Sequence, residues 1–216
     1  MTRSSTEHYS YGTGIELSVL QLLRLKGRAT AAGVAETLTL PEDAAVTALA
    51  EATNEGFCAE AGPSFRLTPE GKHRLTDLLD AERAEIDHAR LTELYDEFDS
   101  ANTELKSITT AWQMRDEQTP NDHADVEYDK AVIDRLATLN HNFAELLGRI
   151  IEVVPRLAHY PARFDTAIAR ARAGDQKFVT SPIADSYHQV WFELHEELIE
   201  LLGKTRAEEA AAGRAV

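Results

Sequence analysis

The sequence predicts a mainly α-helical protein. Three helices, a β-hairpin and a fourth helix come first, and an all-α bundle follows. Three observations carry this. Apolar residues recur at three- and four-residue steps along most of the chain, the spacing of amphipathic helices. One stretch, FCAEAGPSFRLT, reads instead as two short strands around Ala-Gly-Pro-Ser. The 216 residues are 43% hydrophobic and 27% charged, which is ordinary globular composition for one large domain or two small ones.

In chain order, residues 1–13 are polar, lack the apolar core of a signal peptide and are expected to form a disordered tail. Leu17, Leu20 and Leu23 share one helical face, and Gly27 stops that helix. A second helix fits Thr30 to Leu38. Thr39 is expected to cap a third, with Pro41 near its first turn and Val46, Leu49 and Ala50 facing inward. Gly56 ends it, the hairpin follows, and Thr68-Pro69 opens the next helix. That helix reads on toward Trp112 with a bend or break near residues 80–90. Along it Leu91, Leu94, Phe98, Ala101, Leu105, Ile108 and Trp112 form a narrow seam, suited to a dimer interface or to packing within the chain.

A loop spans residues 113–126, and Glu127 to Val154 is strongly amphipathic. Pro155 and Pro161 bracket a turn, Ala162 to Ala173 is a basic helix ended by Gly174, and QKFVTSP reads as a connector. The last helix is DSYHQVWFELHEELIELL. On a helical wheel Ser186, Gln189, Glu193, Glu196, Glu197 and Glu200 form a solvated face, while His188 and His195 fall in the apolar arc. The implied domains are 14–86 and 87–205, with residues 206–216 frayed. No apolar run approaches the roughly 18–20 residues that cross a membrane, and the single cysteine, Cys58, fits a reducing cytoplasm.

The stretches ELSVLQLLRLKG, VAETLTLPEDAAVTALAEATNEGF and FRLTPEGKHRL resemble the winged helix-turn-helix of MarR- and PadR-like transcription regulators. The resemblance covers about a third of the chain and rests most on Leu-Thr-Pro-Glu-Gly after the wing. It implies DNA binding and, through the long helices, a homodimer. Arg24, Lys26, Arg28 and Arg66 could hold a DNA backbone, with base readout left to Thr47. The charge argues otherwise. The chain carries −15, and the helix that should enter the major groove, PEDAAVTALAEATNEG, has no Lys or Arg.

Three functions remain open. The first is a cytoplasmic regulator whose helical domain senses a small, anionic or aromatic effector. Trp112, His188, Trp191 and His195 would line its pocket, and Arg156 or Arg163 would meet the anion. Arg149, Arg156, Arg163 and Arg170 recur every seven residues, and salt bridges to the many glutamates are the other reading of them. The second is an accessory protein that uses the winged helix for protein contact. WQ, NDHxD and DSYHxVWFELHE are faintly similar to the small helical companions of phosphoenolpyruvate-utilising enzymes. The third is a divalent-metal site from Asp122, His123, Asp185, His188 and His195, against the simpler reading of a solvated acidic loop and two hydrogen-bonded core histidines. No phosphate-binding glycine loop, HExxH, nucleophile elbow or CxxC pair is present, so no strong catalytic signature appears, and a catalytic role would fall to the metal site.

Overall fold

The computed structural model describes residues 5–211, which fall into two compact units divided at Glu85 and Ile86. The protein is mainly helical with one two-stranded antiparallel sheet.

In the first unit, α1 spans Ser5–Lys26, α2 Ala31–Leu38 and α3 Glu42–Asn54. Strands β1 (Cys58–Ala61) and β2 (Ser64–Leu67) pair in the register Cys58↔Leu67 to Ala61↔Ser64, and α4 spans Pro69–Glu85. The tail expected at residues 1–13 is thus helical from Ser5. Once the Leu17–Leu23 turns are formed, each further residue adds a backbone bond at little cost, and a polar sequence does not prevent it. Residues 1–4 lie outside the described residues.

Thr30 caps α2, its hydroxyl accepting from the Gly33 amide at 3.0 Å. Thr39 does not cap α3. It ends α2 in the left-handed conformation, φ +56°, where its amide bonds back to Ala35 and Glu36, and Pro41 takes the position before α3. The inward face of α3 is shifted by one residue. Ala45, Leu49 and Ala52 are buried against Leu20, Leu23 and Val34, while Val46 and Ala50 are exposed.

The Leu-Thr-Pro-Glu-Gly segment has a packing reason. The Thr68 hydroxyl donates to the Gly56 carbonyl at 2.7 Å and accepts from the Gly71 amide at 3.0 Å, which ties α4 to the end of α3. A Cβ at Gly71 would lie 1.9 Å from the Phe57 carbonyl oxygen, so only glycine lets α4 approach this closely. Ala29 bonds both ways with Phe65 and adds a one-residue third rung to the sheet.

The second unit contains α5 (His88–Gln113), α6 (Val126–Val153), a 3₁₀ turn (Pro155–His159), α7 (Tyr160–Arg172), α8 (Lys177–Thr180), α9 (Tyr187–Leu201) and α10 (Arg206–Ala211). The expected break falls at Ile86-Asp87, where the Asp87 carboxylate accepts from the Arg90 amide and caps α5. The α5 seam lies inside its own chain. Leu91, Leu94, Phe98, Leu105, Ile108 and Trp112 are buried in one cluster with Phe143, Phe164 and Trp191. The connector is in part the one-turn α8, and the tail expected to fray is α10 as far as Ala211. Thr205 and Glu208 close a reciprocal capping box at its start.

Candidate functional site

Two places gather the residues singled out above, one on each unit. On the first unit, Glu42, Asp43, Val46, Thr47, Ala50 and Glu51 form the exposed face of α3. Three carboxylates surround two small apolar side chains, and no cation lies among them. The Thr47 hydroxyl donates to the Asp43 carbonyl at 2.8 Å, so its proton is engaged within the helix. Of the expected basic residues, Arg24 is half-buried with its Nε on Gln21 at 3.0 Å, and Lys26 is half-buried. Arg28 and Arg66 are exposed. Ala29 pairs antiparallel with Phe65 in an isolated bridge, and Arg28 and Arg66 are the neighbours of the two bridged residues.

On the second unit the last helix departs most from expectation. No residue of α9 is fully exposed. Glu193 and Glu197, assigned to the solvated face, are 0% and 2% exposed. The reason lies on the preceding elements. Arg156 in the 3₁₀ turn makes a two-pronged bond to Glu197, at 3.0 and 2.8 Å. Arg163 on α7 donates to Glu193 at 2.5 Å and to Asp185 at 3.2 Å, and Gln189 completes Glu193 at 3.1 Å. Buried carboxylates survive only when paired and hydrogen-bonded, and here they are. Burial opposes the Arg163 charge, but Glu193 and Asp185 outweigh it and hold the guanidinium above the ordinary arginine range. Burial pushes His159 down to about 4, with Arg163 adding to the effect. Burial, then Glu197, pushes the Tyr160 hydroxyl well up. The layer therefore holds charged Arg–Glu pairs beside a neutral imidazole and a neutral phenol.

The seven-residue arginine repeat resolves into four separate ion pairs. Arg149 meets Glu97 and Arg170 meets Asp175 at the surface, while Arg156 and Arg163 are internal. Neither internal arginine stands open to an anionic effector, because each already holds a carboxylate.

The expected aromatic pocket is core. Trp191 is fully buried and donates to the equally buried Asn102 at 3.1 Å. His195 is 2% exposed, and its Nε2 lies 2.9 Å from the Tyr95 hydroxyl, which donates to Glu209 of α10 at 2.6 Å. His188 is half-buried, and burial lowers its pKa. Ser186, expected on the solvated face, is buried and caps α9 by accepting from the Gln189 amide.

The proposed metal ligands do not converge. Asp185 serves Arg163, and His195 serves Tyr95. Asp122 accepts from the Ala124 amide within its own loop. His123, at φ +59°, places Nδ1 2.9 Å from the buried Asp129 and sets its ring, tilted by 39°, 4.5 Å from Trp112. Asn121 and Gln176 complete Asp129. Among the described residues no group of three or more His, Cys, Asp or Glu side chains is placed to hold a metal ion. Among them, too, no helix is long and apolar enough to cross a membrane.

No family model, no curated protein and no solved structure matches this chain. Its chemistry is therefore read from its own residues. Sequence reasoning missed the Arg156–Glu197 and Arg163–Glu193 pairs. The signal was present only as arginines at a regular spacing and glutamates four apart on the last helix.

Proposed function

We propose that residues 14–86 form a winged helix-turn-helix used for contact with another protein, carried by a mainly helical accessory protein. The observation that supports this is the exposed face of α3, with Glu42, Asp43 and Glu51 around Val46 and Ala50 and no cation. Phosphates would repel that face, whereas a basic protein surface with a small apolar centre would complement it. The order helix, helix, helix, hairpin, helix and the Ala29 rung fit the winged-helix reading of this unit. A regulator that senses an anion through Arg156 or Arg163 fits less well, since both are internally neutralised. A homodimer would need a surface other than the buried α5 seam. The likeness to companions of phosphoenolpyruvate-utilising enzymes makes an enzyme a suitable class of partner.

A second reading, DNA contact, has one observation in its favour. Arg28 and Arg66 are both exposed and flank the Ala29–Phe65 bridge, where a phosphate could meet them. One experiment separates the two. A photo-reactive residue at Val46 of the full chain, activated in the native cells, should capture a protein with a basic face. Reversal of Glu42 and Glu51 to Lys should abolish the capture. Crosslinking to DNA, or duplex binding at low salt that Arg28→Ala and Arg66→Ala remove, would overturn the proposal in favour of the second reading.

A further inference from the structure

The layer between α7 and α9 contains two buried donors that its ion pairs do not use. The Tyr160 hydroxyl and Nη1 of Arg163 are both closed off from solvent and have no hydrogen-bond partner. Both side chains are more than nine-tenths buried, one turn apart on α7, and the guanidinium carbon lies 5.2 Å from the Tyr160 ring centre. Buried polar groups left without partners are rare, because each costs its full desolvation. Both residues belong to the charged layer formed by Arg156, Arg163, Glu193 and Glu197.

We propose that this layer holds a binding site for one ordered, water-sized, neutral hydrogen-bond acceptor, shared by Tyr160 Oη and Arg163 Nη1. The chemistry of the walls selects that class. Both orphan groups donate, so the occupant must accept. The surrounding charges are already paired, Arg156 with Glu197 and Arg163 with both Glu193 and the rim carboxylate Asp185. An added anion would face those three carboxylates, and an added cation would face two guanidinium groups, which have no lone pair to offer it. A water molecule meets all the conditions. It accepts from both donors and can return its own protons to carboxylate oxygens, the three- or four-bonded arrangement usual for internal water. Bound there, it would complete a continuous polar layer from Asp185 at the rim to Arg156. The register of α7 against α9 would then be specified by hydrogen bonds as well as by apolar packing.

The test is Tyr160→Phe, which removes one oxygen and keeps the ring. If the hydroxyl is bonded to an occupant, the variant melts about 4 °C lower, the equivalent of one lost hydrogen bond in a unit of this size. A high-resolution crystal structure of the full wild-type chain then shows one density peak within bonding distance of both atoms, and the variant's structure shows it gone or displaced. A variant as stable as wild type, or more stable, overturns the proposal, because removing a truly unpaired hydroxyl relieves a penalty. So does a crystal structure in which Tyr160 bonds directly to a protein atom.

Discussion

Removal of the Glu197 carboxylate should be among the most damaging single changes in the second unit. In the protein, Arg156 and Glu197 are 6% and 3% exposed and joined by two bonds of 3.0 and 2.8 Å. Glu197→Ala cuts both bonds to a guanidinium that is almost wholly out of water. Breaking a buried pair in this way costs about 3–5 kcal/mol. For a unit of about 130 residues, at about 2.1 cal/mol/K of unfolding entropy per residue, that is a Tm loss of roughly 11–18 °C. Replacing both partners, Arg156→Met with Glu197→Leu, should restore much of the stability, because the two desolvated charges are then removed together. The assay is urea unfolding followed by tryptophan fluorescence. Trp112 and Trp191 both lie in the second unit and both are buried, so the signal reports that unit alone. Cys58 is buried in the first unit, and burial pushes its thiol up to about 11. Its labelling rate therefore follows the other unit separately. A cost below about 1 kcal/mol for Glu197→Ala, or a double variant as weak as the single, would refute the argument that this pair is desolvated.

Other changes test other parts of the structure. His159 is held neutral by burial, at about 4 against 6.5 when unfolded, so the unfolded chain takes up its proton first as the pH falls. Its contribution is complete above pH 6.5 and drains away toward pH 4, by about 3 kcal/mol; His159→Asn should flatten that part of the stability–pH curve, and an unchanged slope would contradict the reasoning. Gly71→Ala places a Cβ against the Phe57 carbonyl and should destabilise the first unit by about 3 kcal/mol, read as faster Cys58 labelling. Thr39→Gly should act in the opposite sense. It relieves a β-branched residue at φ +56° and should slow Cys58 labelling by the equivalent of about 1 kcal/mol.

The sequence by itself determined the elements. Leu17, Leu20 and Leu23, the apolar face of α6 and the caps at Thr30, Thr68 and Gly174 are local signals, because three- and four-residue spacing and a cap depend only on near neighbours. Arg28 and Arg66 were legible as exposed cations, but their place on either side of one bridge was not, since it depends on the Ala29–Phe65 rung. The tertiary structure alone decided the fate of charge in the second unit. On a wheel Glu193 and Glu197 look solvated because a wheel shows one helix in water. Arg163 and Arg156, which bury them, stand 30 and 41 residues earlier in the chain. Distance in sequence likewise hid Tyr95, which stands 100 residues before the His195 it meets and donates to Glu209. A carboxylate is soluble or structural according to what faces it, and what faces it is set when α7, α9 and the 3₁₀ turn pack together.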